Sequence, residues 1–180
     1  RRFDRTLVTS RGFVPSVVRH GAPQDRVEYY PQSAERVFRP LEVPPGAPER
    51  GLLPMGFVLL FGGNIGVSQD FPTILEAAEL TRSRTDLHWV IIGSGRMEDW
   101  VRKQVAVRRL GKTVHLLGRH PLERMPRFFA CADALLVTLK RDPIYGVTLP
   151  AKLQAYMACG RPVLAALDGE GAQVIRESGC

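Results

Sequence analysis

Long apolar runs and secretion signals are missing from this sequence of 180 residues. Its longest apolar runs, such as residues 57–61 and 134–137, have the length of a β-strand, whereas a membrane-spanning helix needs about 20 residues. The start, Arg1-Arg2-Phe3-Asp4, lacks the apolar region of a secretory signal peptide. We therefore expect a globular protein of the cytoplasm.

Cysteine is also scarce. Cys131, Cys159 and Cys180 are the only three, and their spacing matches no metal-binding motif. An odd number in a cytoplasmic protein favours free thiols, so we predict that all three are reduced. The first two lie among apolar residues and are predicted to be small core side chains.

Lysine stands only at positions 103, 112, 140 and 152, so arginine supplies most of the formal net charge of +7. An excess of positive charge suits an anionic partner such as a nucleotide, a phospholipid or a nucleic acid. The arginines are scattered through predicted helices and are not clustered beside exposed aromatic side chains. We therefore expect no nucleic-acid partner and interpret most of these arginines as solvated helix surface.

Two familiar nucleotide-binding motifs are absent. Gly93-Ser-Gly-Arg-Met-Glu98 has Glu98 where a dinucleotide-binding turn needs its third glycine, and residues 62–66 have the wrong spacing. No Gly-Lys-Ser or Gly-Lys-Thr of a P-loop occurs either. These absences argue against a dinucleotide-dependent oxidoreductase and against a P-loop nucleotidase.

The chain divides into three segments. Residues 1–40 are predicted to contain a strand, a helix and a strand, at 6–9, 12–19 and 26–30. Residues 41–54 are rich in proline, which continues neither a helix nor a central strand, so we predict a linker and a domain boundary there. Residues 55–180 form the main domain.

The main domain alternates continuous apolar strands with amphipathic helices, a pattern typical of a parallel sheet covered on both faces. The strands are predicted at 57–61, 88–92, 114–117, 134–138 and 162–166. The helices are predicted from about residue 70, around 97–105, at 126–130, around Lys152 and from about residue 172. The predicted fold class is α/β, with a doubly wound, Rossmann-like sheet.

Ligands of such sheets bind beyond the carboxyl ends of the strands. Four segments there carry glycine or lead into a helix: residues 62–66, 93–95, 145–152 and 168–173. Each segment alone is at least as well explained by a tight turn between strand and helix as by a binding role. Four such segments at one edge of the sheet favour a nucleotide or sugar-nucleotide site.

Lys152 is the strongest single candidate for binding an anion. Thr148 is predicted to cap its helix, Pro150 to occupy the first turn, and Gly160 to end the helix in the left-handed conformation. A lysine in a first turn adds its charge to a helix end that is already positive, which suits phosphate. The alternative is a solvated surface lysine.

The order of these elements resembles the retaining glycosyltransferases of the GT-B fold, family 4, also called glycosyl transferases group 1. Residues 4–40 are similar to the end of that family's acceptor domain, with Gly21-Ala-Pro23 and Phe38-Arg-Pro40. The donor-domain elements follow in order at 57–66, 90–95, 114–118, 130–133, 157–163 and 169–175. Gly63-Asn-Ile-Gly66 with Pro150-Ala-Lys152 resembles a subfamily that makes capsular, O-antigen or exopolysaccharide units. The resemblance implies half of a GT-B fold, truncated at its C-terminus.

The sequence departs from the family pattern at four positions. The family's usual pair of glutamates falls on Val147 and Ala155, and its basic pair in the first loop falls on Asn64 and Gln69. We therefore predict that Lys152, the N-terminus of its helix and the backbone N–H groups of residues 63–66 meet the diphosphate instead.

The resemblance implies sugar transfer from a nucleotide-diphosphate sugar to a glycan or lipid-linked acceptor, with retention and without a cofactor or an essential metal. No Asp-x-Asp pair occurs. Lys152 is the predicted catalytic residue. The other predicted site residues are Gly62, Gly63, Asn64 and Gly66 for phosphate, Gly93, Ser94 and Gly95 for the nucleoside, and Glu170, Gly171, Ala172 and Gln173 for the sugar. Ser94 is equally well explained as a turn residue, and Glu170 as a residue that starts a helix.

Two other functions stay open. A sugar-nucleotide epimerase of the same fold would bind similar ligands, and a nucleotide-binding module would bind the donor without transfer. We expect this chain to be a donor-binding fragment that is inactive alone, with the acceptor bound by another domain. A lipid-linked acceptor allows peripheral contact at the inner face of the cell membrane.

Overall fold

The structure, a computed structural model, describes residues 3–179. The predictions for Arg1, Arg2 and Cys180 lie outside this range. Residues 3–40 contain two short parallel strands, β1 (Thr6–Val8) and β2 (Val27–Tyr29), with helix α1 (Val14–Arg19) between them. Proline at the start of α1 is tolerated because the first helical N–H groups have no partner inside the helix.

Five strands form an all-parallel sheet in the order β5-β4-β3-β6-β7. They are β3 (Phe57–Gly62), β4 (Leu87–Ile92), β5 (Val114–Gly118), β6 (Ala134–Thr138) and β7 (Val163–Ala166). The doubly wound sheet predicted from the alternating pattern is confirmed. The chain order reverses beside β3, so the connections before and after that point run to opposite faces.

Helices cover both faces of this sheet. The main ones are α3 (Phe71–Leu80), α4 (Glu98–Val107), α5 (Met125–Cys131), α7 (Ala151–Ala158) and α8 (Glu170–Ser178), with one-turn α6 (Pro143–Gly146) before α7. Side chains of β3 alternate between two cores: Leu59 and Phe61 pack with α3 and α4, whereas Val58 and Leu60 pack with α5 and α7. Burial of both faces explains why the strands are continuously apolar.

The proline-rich segment is more ordered than its composition predicts. Residues Pro48–Leu52 form helix α2, which begins at a proline, where the missing N–H costs nothing. Its Glu49 is buried and bonded to Arg124 and Arg127 of the α5 region. The prediction that this segment contains no helix was wrong because a contact distant in sequence stabilises it.

Both cysteines within the described range are free thiols. Cys159 is buried, as predicted, whereas Cys131 is only half-buried. Burial raises the pKa of both thiols. Among residues 3–179, no helix is long and apolar enough to cross a membrane.

Candidate functional site

The candidate site lies where the strand order reverses, between the carboxyl ends of β3 and β6. Open α/β sheets bind ligands in this crevice because the loops on its two sides diverge to opposite faces. Four segments border it: the β3 turn (residues 62–66), the β4 turn (93–95), the β6 loop (139–150) and the β7 turn (167–169). Each follows directly after its strand, which is why one edge of a parallel sheet collects them all.

The β3 and β4 turns form one continuous backbone surface. The N–H of Gly63 donates to the Ile92 carbonyl oxygen at 2.9 Å, and the N–H of Ile65 donates to the Ser94 carbonyl oxygen at 2.9 Å. Gly93 has φ +150, and a Cβ there would overlap the Gly63 carbonyl oxygen. Glycine at 93 is therefore required by this close approach as well as by its backbone conformation.

These two turns line a pocket of about 380 Å³ together with the loop after β5. The pocket contains predicted phosphate residues, Gly63 and Asn64, and predicted nucleoside residues, Gly93 and Ser94. It is completed by Ile92, Arg119, His120, Leu122 and Met125. The sequence prediction missed Arg119 and His120, although their position directly after a strand was a usable signal.

The backbone donors of the β3 turn are fewer than predicted. Gly62 donates its N–H to the Tyr156 hydroxyl at 2.8 Å, and that hydroxyl donates to the Gly62 carbonyl oxygen at 3.1 Å. Burial raises the pKa of Tyr156, so the hydroxyl keeps its proton. Since Gly63 and Ile65 are also bonded, the N–H groups of Asn64 and Gly66 are those of this turn with no hydrogen-bond partner among residues 3–179.

Asn64 lies between the two turns. A Cβ at Gly66 would approach the Asn64 Nδ2 to 2.6 Å, and a Cβ at Gly95 would approach its Oδ1 to 2.5 Å. A side chain at position 66 would displace the Asn64 amide, and one at position 95 would also overlap the Ile65 carbonyl oxygen, at 2.6 Å. This packing gives Gly95 a structural role, and Gly95 does not line the pocket.

Lys152 reaches across the crevice to the β3 turn. Its Nζ lies 3.7 Å from the centroid of the Phe61 ring, donates a short hydrogen bond to Gln69 Oε1, and would lie 3.7 Å from a Cβ at Gly63. The alternative of a solvated surface lysine is wrong, because the side chain is half-buried. Desolvation by burial lowers the pKa of Lys152 to about 7.

No carboxylate compensates this amine. Within residues 3–179, Lys152 has no acidic side chain within 4.0 Å. The pKa shift has desolvation as its cause, with no opposing contribution from a nearby negative charge. An incoming anion would be the first counter-ion of Lys152, and it would raise the pKa of the amine.

The start of α7 differs from its prediction. Pro150 is the N-cap residue and Lys152 the second residue of the helix, whereas the Thr148 hydroxyl donates to the Ile144 carbonyl oxygen at 2.6 Å. Thr148 does not cap α7, because one-turn helix α6 offers its hydroxyl a nearer acceptor. Gly160 adopts φ +65 just after α7, as predicted.

The predicted sugar residues lie outside the 380 Å³ pocket. Glu170, Gly171, Ala172 and Gln173 form the first turn of α8, which begins two residues earlier than predicted. A Cβ at Gly171 would lie 3.5 Å from Pro150. These residues therefore flank the start of α7, on the other side of the crevice from the pocket.

A comparison with known families is consistent with this geometry. The sequence model of a family described as "Glycosyl transferases group 1" matches residues 56–180, more than half of the chain. The chain belongs to this family. No curated protein is similar enough to the chain to match it.

Several solved structures share the fold of this chain. HepE from Anabaena in complex with UDP matches with a TM-score of 0.72 at 16% identity, over 95% of this chain and 47% of HepE. WaaG, a glycosyltransferase involved in lipopolysaccharide biosynthesis, matches with 0.74 at 18% identity, over 97% of this chain and 47% of WaaG. A glycosyltransferase from Rickettsia africae matches with a TM-score of 0.74 at 13% identity, over 96% of this chain and 46% of that protein. The chain thus spans about half the length of these structures.

The four positions where this chain departs from the family pattern have two kinds of surroundings. Val147 packs against Gly12, where a Cβ would lie 2.9 Å from the valine side chain, and Ala155 is buried in α7. Gln69 instead contacts the Lys152 amine, and Asn64 lines the pocket. Among residues 3–179, no three histidine, cysteine or acidic side chains are grouped to hold a metal ion.

Proposed function

We propose that this chain is the donor-binding half of a retaining glycosyltransferase that acts in surface polysaccharide biosynthesis. It would bind a nucleoside-diphosphate sugar, whose sugar passes to a glycan or lipid-linked acceptor. One observation carries the proposal: a half-buried amine without a carboxylate, Lys152, faces glycine-rich backbone at the point where the strand order reverses. HepE, which shares this fold, has been solved with UDP and with UDP-glucose.

The chemistry follows from where negative charge develops. As the bond between sugar and diphosphate breaks, the leaving diphosphate gains charge. Lys152 and the unbonded N–H groups of Asn64 and Gly66 would then stabilise the transition state more than the bound donor, which is the requirement for catalysis. In this proposal these groups, and no metal ion, neutralise the leaving group.

The pocket beside the β4 turn would hold the nucleoside, with Ser94, Arg119 and His120 as its polar lining. Glu170 and Gln173, at the start of α8 beyond Lys152, would face the hydroxyl groups of the sugar. The acceptor would bind in the part of the solved relatives that has no counterpart in this chain. A lipid-linked acceptor would bring the site to the inner face of the membrane.

A thermal-shift series with UDP, GDP, ADP and their sugars tests donor binding, because a ligand that binds only the folded state raises its melting temperature. We expect stabilisation by at least one of them. Changing Lys152→Met should weaken that binding by about 1.5–3 kcal/mol, the strength of a charge-assisted hydrogen bond. The matched control is Lys112→Met on the exposed turn before β5.

If none of the three nucleotides or their sugars raises the melting temperature, the proposal is contradicted. An affinity of Lys152→Met equal to that of the wild type would also contradict it. Transfer itself is tested with the full-length protein by release of nucleoside diphosphate that depends on an acceptor. If the sugar of the donor is epimerised in the absence of an acceptor, the protein is a sugar-nucleotide epimerase instead. Addition of EDTA should leave transfer unchanged.

A further inference from the structure

Gln69 is held rigidly beside the crevice. It ends a 3₁₀ turn (Val67–Gln69), and only 9% of its surface is exposed. The Thr138 hydroxyl at the end of β6 donates to its carbonyl oxygen at 2.5 Å, and the Lys140 N–H donates to the Ser68 carbonyl oxygen at 3.0 Å. The strand on the far side of the switch point thus fixes this turn.

The orientation of the Gln69 amide is fixed as well. Its Nε2 donates to the Ser68 hydroxyl at 3.1 Å, so its Oε1 faces the Lys152 amine and accepts from it. The opposite side of that amine lies over the Phe61 ring. Phe61 and Gln69 together therefore keep the amine at the β3 turn, although a free lysine side chain would gain entropy and hydration by extending into solvent.

A neutral amide suits this task better than a carboxylate. An amide oxygen accepts a hydrogen bond from the ammonium group without cancelling its charge, whereas a carboxylate would compensate it and compete with phosphate. The Tyr156 hydroxyl is neutral and bonded to Gly62. The Asp70 carboxylate, next to Gln69 in the chain, accepts from the Thr73 hydroxyl at 2.7 Å, and within residues 3–179 no ion pair joins it to Lys152. The positive charge is therefore left for a ligand.

We propose that Gln69 is a positioning residue for donor binding, whose amide oxygen holds the Lys152 amine uncompensated at the β3 turn so that a diphosphate becomes its counter-ion. This inference rests on the proposed function. It assigns to Gln69 a role in affinity that acts through Lys152.

The test compares the wild type with Gln69→Glu, Lys152→Gln and the exchange of both residues, Gln69→Lys with Lys152→Gln. Calorimetry measures the affinity for UDP and, from pH 6 to 8.5, for UDP-glucose. Gln69→Glu keeps the shape but adds a counter-ion, and we expect about tenfold weaker binding of UDP. Affinity for UDP-glucose should then no longer fall above pH 7, because the carboxylate raises the pKa of Lys152.

The exchange variant is the sharper measurement. The ends of the two side chains touch, so a lysine at 69 can place its amine near the same point, and the exchange should recover most of the affinity that Lys152→Gln loses. Gln24→Glu, on an exposed turn, is the matched control for added charge. Thermal melting without ligand shows that each variant is folded.

The outcomes separate the two proposals. Failure of the wild type to bind any nucleoside diphosphate would overturn the proposed function and this inference with it. Wild-type binding together with an unchanged affinity and pH profile of Gln69→Glu would overturn the role of Gln69 alone. If the exchange variant binds UDP as weakly as Lys152→Gln, an amine placed at this point does not restore affinity. That result would overturn the proposal that Gln69 acts by holding the amine there.

Discussion

Two desolvated charges in this protein have opposite surroundings. Glu49 of α2 is 3% exposed and accepts from Arg124 Nε at 2.8 Å and from Arg127 Nε at 3.0 Å. Burial raises the pKa of this carboxyl, but the hydrogen bonds from Arg127 and Arg124 outweigh it and hold the pKa at about 2. Lys152 has no ion-pair partner within residues 3–179, and burial lowers its pKa to about 7.

The contrast separates a charge that is paired inside the protein from one that has no ion-pair partner within residues 3–179. Glu49 joins α2 to the start of α5, where Met125 lines the pocket, and its charge is fully used inside the protein. The Lys152 amine is desolvated without that compensation, which destabilises the ligand-free protein and makes an anion favourable. In the proposed function, affinity for the donor would be obtained at the expense of stability.

The largest effect is expected from breaking the paired charge. Glu49→Gln should lower the free energy of unfolding by about 3 kcal/mol, because it removes one partner of a buried ion pair. Urea denaturation at pH 7 measures this, with Glu76→Gln on the exposed face of α3 as a control expected to change little.

The pH dependence gives a second check on Glu49. Its folded-state pKa lies below the unfolded value of 4.5, so its contribution is complete above about pH 4.5 and is lost as the pH falls toward 2. Wild type and Glu49→Gln should therefore converge in stability at low pH. A constant difference down to pH 2 would argue against the ion pair.

The unpaired charge should respond in the opposite direction. Lys152→Met should raise the free energy of unfolding of the ligand-free protein by about 1–3 kcal/mol at pH 6, since an uncompensated buried amine is removed. The folded-state pKa lies below the unfolded value of 10.5, so the gain should fade as the pH rises from 7 toward 10.5. Thermal melting across this range measures it, and a destabilised variant would contradict it.

A smaller effect is expected in proton uptake on binding. Lys152 is mostly neutral at pH 8 and mostly charged at pH 6. Binding of UDP-glucose should therefore be accompanied by uptake of close to one proton by Lys152 at pH 8, and of little at pH 6. Calorimetry in buffers of different ionisation enthalpy counts this proton. The Lys152→Met variant should show no uptake, and an identical uptake in both proteins would assign it elsewhere.

The smallest effect is expected at an exposed pair. Glu79 on α3 accepts from Arg82 at 2.7 Å and from Arg108 at 3.2 Å, but its side chain is 42% exposed. Glu79→Gln should change the free energy of unfolding by less than about 1 kcal/mol, because water and salt screen the interaction. A loss as large as that of Glu49→Gln would show that burial is not what distinguishes the two carboxylates.

The sheet, and the edge on which the turns lie, could be predicted from the amino-acid pattern. Alternation of apolar strands with amphipathic helices is a local pattern, and strands in a parallel sheet bring their carboxyl ends to one side. Gly93 and Lys152 could therefore be predicted as residues of one edge. The family resemblance added the order of the elements, and it correctly indicated a group 1 glycosyltransferase.

Which side chains come into contact could not be predicted in the same way, because it depends on the packed molecule. The contact of Gln69 with Lys152 joins residues on opposite sides of the switch point, and that of Glu49 with Arg124 joins a proline-rich segment to a helix. Neither contact can be predicted from local periodicity. Each depends on the order in which the strands pair and on how segments distant in sequence pack together. For the same reason the N–H groups of Gly62 and Gly63 are bonded to the Tyr156 hydroxyl and the Ile92 carbonyl oxygen. Thr148 is a local case, because its hydroxyl bonds to the Ile144 carbonyl oxygen of α6, four residues earlier. Burial and hydrogen-bond partners are properties of the packed molecule, and they distinguish the charge that supports the fold from the charge available to a ligand.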